Sequence, residues 1–285
     1  MNQKYLFPSN QTEHDRLLRL NEVYNPYTFQ YLNKLIQPGM NVLEYGPGIG
    51  MIGKWLVSSF PDIGYTALDI SEEQLNAVKT NFIDAKLNPP KTIRGSIANV
   101  NMLLNSETSY DIIYGRWVLA YLPNKDDVIS TVSQLTSFLK PGGYLVIEEG
   151  DVTPCQAISL KNDGTSHNNI TAFNNWYELT MKLQTPCKID MSLGSTIANK
   201  LANSHKLHQA PYAYQPHLTT EYEKAILALA IPGSRKRLIE LGLTTISESK
   251  QLETNLWNLA QDDSIHIEFI KNTIVTIQKE LAHGS

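Results

Sequence analysis

Between residues about 40 and 150 the chain alternates short apolar runs with stretches whose apolar residues recur at helical spacing. A parallel sheet covered by helices imposes that pattern. The runs 41–45 (NVLEY), 65–69 (YTALD), 110–114 (YDIIY) and 144–148 (YLVIE) read as strands, with a weaker one at 92–94. Helices are predicted over 51–60, from Ser71 to about residue 85, and over 126–138. Ser71 stands at an N-cap, with Gln74 at the capping-box position. Lys140-Pro141-Gly142-Gly143 is expected as a sharp turn into the fifth strand. The repeated strand–helix unit predicts a doubly wound α/β sheet.

The flanks are less regular. Residues 11–37 read as helical with an interruption at Pro26. Downstream, 174–183, 193–207 and 248–259 read as helices, and 221–242 as a helix broken at Ile231-Pro232-Gly233. An extended segment at 210–218 and the β-branched run 272–278 suit an antiparallel pair that closes the sheet at seven strands. This organisation gives a helical cap over 1–37, a core over 38–150, and helical insertions plus closing strands of the same sheet over 151–285.

Composition narrows the class. The 285 residues are 42% hydrophobic and 18% charged, which is globular and not disordered. Lys plus Arg is 24 against 28 for Asp plus Glu, a net charge of −4 that gives no basis for sequence-independent nucleic-acid binding. The N-terminal Met1–Pro8 carries no signal-peptide core, and the longest apolar stretch, 225–231, falls far short of a membrane span of roughly 20 residues. Only Cys155 and Cys187 occur, which suits free thiols in a cytoplasmic setting.

The chemistry gathers at the end of the first strand. Glu44-Tyr45-Gly46-Pro47-Gly48-Ile49-Gly50 runs from strand into helix, where glycines let a ligand approach the backbone and the helix start offers unpaired N–H groups. Asp69 ends the next strand, which lies beside the first in a right-handed crossover, and its carboxylate can accept from a ribose diol. Two cofactors compete. Gly48, Gly50 and Gly53 also fit GxGxxG, the nicotinamide-dinucleotide fingerprint. Glu44, two positions before Gly46, would repel a pyrophosphate and welcome a cofactor bearing a sulfonium and an ammonium, S-adenosylmethionine.

Four motifs in order carry a resemblance to the class I S-adenosylmethionine-dependent methyltransferases, nearest their small-molecule, ubiquinone-biosynthesis-type branch: the glycine loop after Glu44, Ala67-Leu68-Asp69-Ile70-Ser71, Tyr110 to Tyr114 with Leu122-Pro123, and Leu139 to Glu148. The resemblance implies a Rossmann-like fold and methyl transfer from S-adenosylmethionine to an oxygen, nitrogen or carbon of a small molecule. It places Gly46, Gly48 and Gly50 along the methionine part of the cofactor, Glu44 towards its amino group, Asp69 on the ribose and Ile70 on adenine. Ser96 and Ile97 fall near the adenine amino group, where the family often has an acid, and Gly115 and Arg116 near the methionine moiety and the acceptor mouth. Two alternatives stay open: an NAD(P)-dependent oxidoreductase, and a cofactor-binding regulatory or interaction protein without catalysis.

No catalytic residue is assigned, because a sulfonium is already an activated leaving group and positioning supplies much of the rate. If an oxygen acceptor needs a general base, His14, Glu149 and Asp151 are the candidates. His205 and His208 would share a helical face, but no carboxylate or cysteine joins them, so no metal is expected. Arg235-Lys236-Arg237 reads as a solvated face. Tyr24, Tyr27, Tyr114, Trp117 and Tyr121 are expected as core residues bordering an acceptor cavity, with Trp176-Tyr177 as a lid. The segments 1–37 and about 151–250 are expected to choose the acceptor, whose identity, like the oligomeric state, the sequence leaves open.

Overall fold

The computed structural model describes residues 10–105, 107–122, 124–161 and 167–281. Met1–Pro8 and Pro123 therefore lie outside the described residues. The chain forms two compact units, one of Tyr27–Gly150, Ser192–Tyr214 and Asn272–Ser285, the other of Met1–Pro26, Asp151–Met191 and Gln215–Lys271.

The described strands, in chain order, are β1 (Asn41–Tyr45), β2 (Gly64–Asp69), β3 (Lys91–Arg94), β4 (Tyr110–Arg116), β5 (Leu139–Asp151), β6 (Gln156–Ser159), β7 (Tyr212–Tyr214), β8 (His217–Leu218), β9 (Ile265–Glu268) and β10 (Lys271–Gln278). The first unit holds a seven-stranded sheet in the order β3-β2-β1-β4-β5-β10-β7. β1 to β5 pair in parallel, and β10 pairs with β7 antiparallel. The chain leaves β1 towards β2 and β3, then returns to β4 on the other side. That reversal makes the carboxyl ends of β1 and β4 the switch point, where open α/β sheets bind ligands.

The central strands are apolar because helices cover both sheet faces. Val42, Leu43, Ala67, Ile112, Ile113, Leu145, Val146 and Ile147 are fully buried, each larger side chain contributing about 1.5–3 kcal/mol. Helices Met51–Ser59, Glu72–Asp84 and Lys125–Ser137 follow their strands as the periodicity predicts. Ser71 accepts from Gln74 N, as an N-cap should. The reciprocal half of the capping box is replaced: the Ser71 N–H donates to Asp69 Oδ1 at 2.8 Å.

Lys140-Pro141-Gly142-Gly143 is not a turn ahead of a separate strand. It is an irregularity inside β5, where the register passes from Tyr110↔Leu139 to Ile112↔Tyr144. Gly142 takes a φ of 80° there, and its N–H donates to Lys279 O next to β10. The predicted 193–207 helix ends at Ala202. The extended segment 210–218 divides, β7 joining the large sheet and β8 a three-stranded sheet, β6-β9-β8, that the sequence reading did not anticipate.

That small antiparallel sheet belongs to the second unit, with helices His167–Lys182, Glu221–Glu240 and Ile246–Gln261. The last two start with full capping boxes, Thr220 with Glu223 and Thr245 with Glu248. Both proline breaks are overturned. Helix Gln11–Leu32 runs through Pro26, and Glu221–Glu240 runs through Pro232. A proline costs about 3 kcal/mol in a helix interior. Burial of Tyr24, Thr28, Tyr31 and Leu32 in one helix, and of Ile226, Leu227, Ile231 and Leu238 in the other, outweighs it.

Candidate functional site

The glycine loop leaves β1 at the switch point. Gly46, Gly48 and Gly50 all have positive φ, at 65°, 54° and 76°, a backbone that other residues rarely adopt. The Cβ side of Gly48 is open, with nothing within 4 Å, so a ligand can reach the backbone there. Gly50 is the N-cap of Met51–Ser59, and no side chain caps that helix start. Its first N–H groups and the helix dipole suit a carboxylate.

Beside the loop, Asp69 ends β2, one strand from β1. It is half-buried, and burial pushes its carboxyl up to about 6 against hydrogen bonds from the Ser71 and Ile70 backbone. Ile70 is 46% exposed, an apolar shelf next to that carboxylate. An open loop, an uncapped helix start, an acid and an exposed apolar side chain fit the carboxylate, ribose and adenine of S-adenosylmethionine. Ser96 caps the short turn Ile97–Asn99, accepting from Ala98 N at 3.4 Å, and Ile97 is buried.

Glu44 lies deeper than the family pattern implies, at 3% exposure. Its Oε2 accepts from the Tyr65 hydroxyl, and the Gly53 N–H also donates to it. Burial raises its carboxyl to about 7. Glu44 thus ties β1 to the helix that begins in the glycine loop. The space beside Gly115 is filled by the Tyr45 ring, where an added Cβ would come within 2.0 Å of Cε2. Gly115→Ala should lower stability by about 1–3 kcal/mol through overpacking, read as a fall in Tm. An unchanged Tm would show that the ring can swing aside.

Arg116 is almost covered, its side chain 12% exposed and 4.0 Å from Glu148 Oε1. It also donates to Thr28 Oγ1 at 3.2 Å. Glu148 is the centre of a buried network, accepting from Thr28, Tyr114, Tyr214 and Asn272. Trp117 Nε1 donates to Asn272 Oδ1 at 2.9 Å. The sequence reading missed this network, whose bonded partners lie up to 155 residues apart. Of the three candidate bases, His14 and Asp151 belong to one unit and Glu149 to the other. Asp151 Oδ1 accepts from the Thr153 N–H and hydroxyl, which fixes a turn.

Other expectations change. His205 and His208 lie beyond the end of their helix, so they share no helical face. His205 meets Ser133 Oγ at 3.2 Å, and His208 packs edge-on to Tyr144. Among the described residues, no group of three metal-ligating side chains occurs. Arg235 bonds Ser249 and Glu253, while Lys236 and Arg237 pair with Glu240. Trp176 is buried against Phe173 and Phe269, in the core of its unit. Tyr24 donates to Ile270 O, and Tyr27 stacks on Tyr214.

The fold and loop define a Rossmann-like cofactor-binding domain of the methyltransferase type. Residues 43–145 match the family model described as a methyltransferase domain, and this stretch is a class I S-adenosylmethionine-dependent methyltransferase domain. The chain is 28% identical over 112 residues to malonyl-[acyl-carrier protein] O-methyltransferase 2 of Ilyobacter polytropus, covering 37% of this chain and 38% of the relative. It is 28% identical over 121 residues to phosphoethanolamine N-methyltransferase 1 of Triticum aestivum, covering 39% of this chain and 21% of that one. The alignments thus span well under half the length of these curated relatives. Among solved structures, coclaurine N-methyltransferase bound to N-methylheliamine and S-adenosylhomocysteine has a TM-score of 0.55 at 12% identity, covering 91% of this chain and 74% of that one. Among the described residues, no helix is long and apolar enough to cross a membrane.

Proposed function

We propose that this chain transfers a methyl group from S-adenosylmethionine to a nucleophilic oxygen, nitrogen or carbon of a small molecule. The observation that carries the reading is the open Gly48 loop at an uncapped helix start, with Asp69 at the end of the neighbouring strand. Bound there, the cofactor supplies a methyl group on a positively charged sulfur. The chain's own work is holding and orienting. Asp69 accepts from the ribose hydroxyls, Ile70 and Ile97 flank the adenine, with Ser96 beside its amino group, and the N–H groups after Gly48 face the carboxylate. Glu44, Gly46, Gly50, Gly115 and Arg116 shape the methionine end.

The relatives named above act on oxygen in one case and nitrogen in another, so the accepting atom is left as a class. Acceptor choice is assigned to residues 1–37 and about 151–250, which lie outside the stretch that the family model matches. Two free cysteines, one of them buried, support a cytoplasmic setting. Calorimetry should show binding of S-adenosylhomocysteine and negligible binding of NAD. Tighter binding of NAD would overturn the reading in favour of an oxidoreductase. Binding without turnover to S-adenosylhomocysteine in a metabolite pool would favour a regulatory protein.

A further inference from the structure

β5 places two glutamates side by side in sequence, and the strand pleat sends them to opposite faces of the sheet. Glu148 has its buried network. Glu149 is fully buried and has a different task. Its Oε1 accepts from the N–H of Val118 at 3.1 Å and of Leu119 at 2.8 Å, just after β4. The residue before them, Trp117, sits at a φ of 58°, a strained conformation for a large side chain. Its N–H donates to Glu148 O at 2.9 Å. Three successive N–H groups of this turn are therefore held by Glu148 and Glu149.

The turn in turn touches the glycine loop. A Cβ added at Gly46 would lie 2.2 Å from Val118 Cγ2, so the Val118 side chain rests directly on the first glycine. A line of contact runs from Glu149 through the backbone of 118–119 to Val118 and Gly46. We infer that Glu149 is a positioning residue for the methionine end of the cofactor site, holding the turn after β4 against the glycine loop. The inference rests on the proposed S-adenosylmethionine site, and it replaces the reading of Glu149 as a general base. A base needs a lone pair facing the acceptor. Glu149 spends one oxygen on backbone N–H groups, and its other oxygen, Oε2, is buried without a protein partner. Burial also raises the group to about 8, so at neutral pH it is largely a neutral carboxylic acid. A glutamine amide has the same shape, with a carbonyl to accept and an N–H₂ where the acid has its O–H.

Isothermal titration with S-adenosylhomocysteine and with adenosine, on wild type and three variants, tests this. Adenosine lacks the methionine end and reports on the ribose and adenine side of the proposed site, Asp69, Ile70, Ser96 and Ile97. Glu149→Leu is expected to weaken S-adenosylhomocysteine about tenfold or more, as lost bonds to a strongly polar acceptor do, with adenosine changed far less. Glu149→Gln should keep both affinities within about threefold of wild type, because it keeps the acceptor. Val118→Ala should weaken S-adenosylhomocysteine selectively without touching Glu149, and it carries the test if Glu149→Leu does not fold. Equal losses for both ligands in Glu149→Leu, or in Val118→Ala, would mean a merely structural role and would overturn the inference. So would an unchanged affinity in either variant, or a glutamine that behaves like leucine. A wild type that binds adenosine but no S-adenosylhomocysteine would instead sink the proposed function.

Discussion

Replacing Asp69 with alanine is expected to weaken S-adenosylhomocysteine binding by about ten- to a hundredfold in a protein that still folds. In the proposed site this carboxylate, at the end of β2, is the charged acceptor to which a ribose diol would donate one or two hydrogen bonds. Such bonds are each worth about 1.5–3 kcal/mol. One oxygen, Oδ1, also accepts from the Ser71 N–H, so alanine removes a local turn contact as well. Asp69→Asn separates the two effects: it keeps an acceptor for Ser71 and loses the charge that the ribose needs. Its affinity should fall between wild type and alanine, with a Tm near wild type. The ionised form is the better acceptor, and burial holds this carboxyl up at about 6. Affinity should therefore rise with pH through about 6 and level off above about 7. Calorimetry from pH 5 to 8 checks this, and an Asp69→Ala protein that binds as tightly as wild type would leave Asp69 as a helix-start residue only.

Stability should fall as the pH rises from about 5.5 to 7, the opposite of the usual response of paired carboxylates. Glu44 and Glu149 are fully buried, and burial raises them to about 7 and about 8. Over this range the unfolded chain has already released these protons while the folded chain keeps them. Each such group lowers the unfolding free energy by about 1.4 kcal/mol per pH unit, and the loss stops once the pH passes the folded value. Glu149 thus acts over a window that extends to about 8, and Glu44 to about 7. Glu149→Gln removes its own share and should flatten the slope by about 1.4 kcal/mol per pH unit between 5.5 and 7. Urea unfolding of wild type and variant at several pH values measures the difference directly. Parallel pH profiles for the two proteins would show that Glu149 is ionised in the folded state.

Much of the cofactor half was legible because its chemistry is local. Strands buried on both faces read as continuous apolar runs, so β1, β2 and β4 appear in the sequence within a residue or two of their starts. A glycine run at a strand end and an acid at the next strand end are short-range patterns, and Gly48 and Asp69 stand where such patterns put them. The reading of Glu44 followed the same local rule and stopped short. Nothing near it in sequence says that Tyr65, 21 residues on, donates to it.

By itself, then, the sequence determined the order of the main strands and helices between 41 and 151, the site of the glycine turn and the acid that ends the neighbouring strand. Periodicity, glycine spacing and strand-end acids are properties of neighbouring residues, and neighbours are what a sequence displays. Only the tertiary structure decided that Pro26 and Pro232 stay inside helices, because burial of the opposite faces outweighs a local preference. It alone divided 210–218 between two sheets, since a strand's partner lies far away in the chain. It also gave Glu148 and Glu149 their separate tasks. The pleat turns adjacent residues to opposite faces, and what each face meets, Thr28 and Asn272 on one side and the Val118 turn on the other, is settled by packing between distant segments.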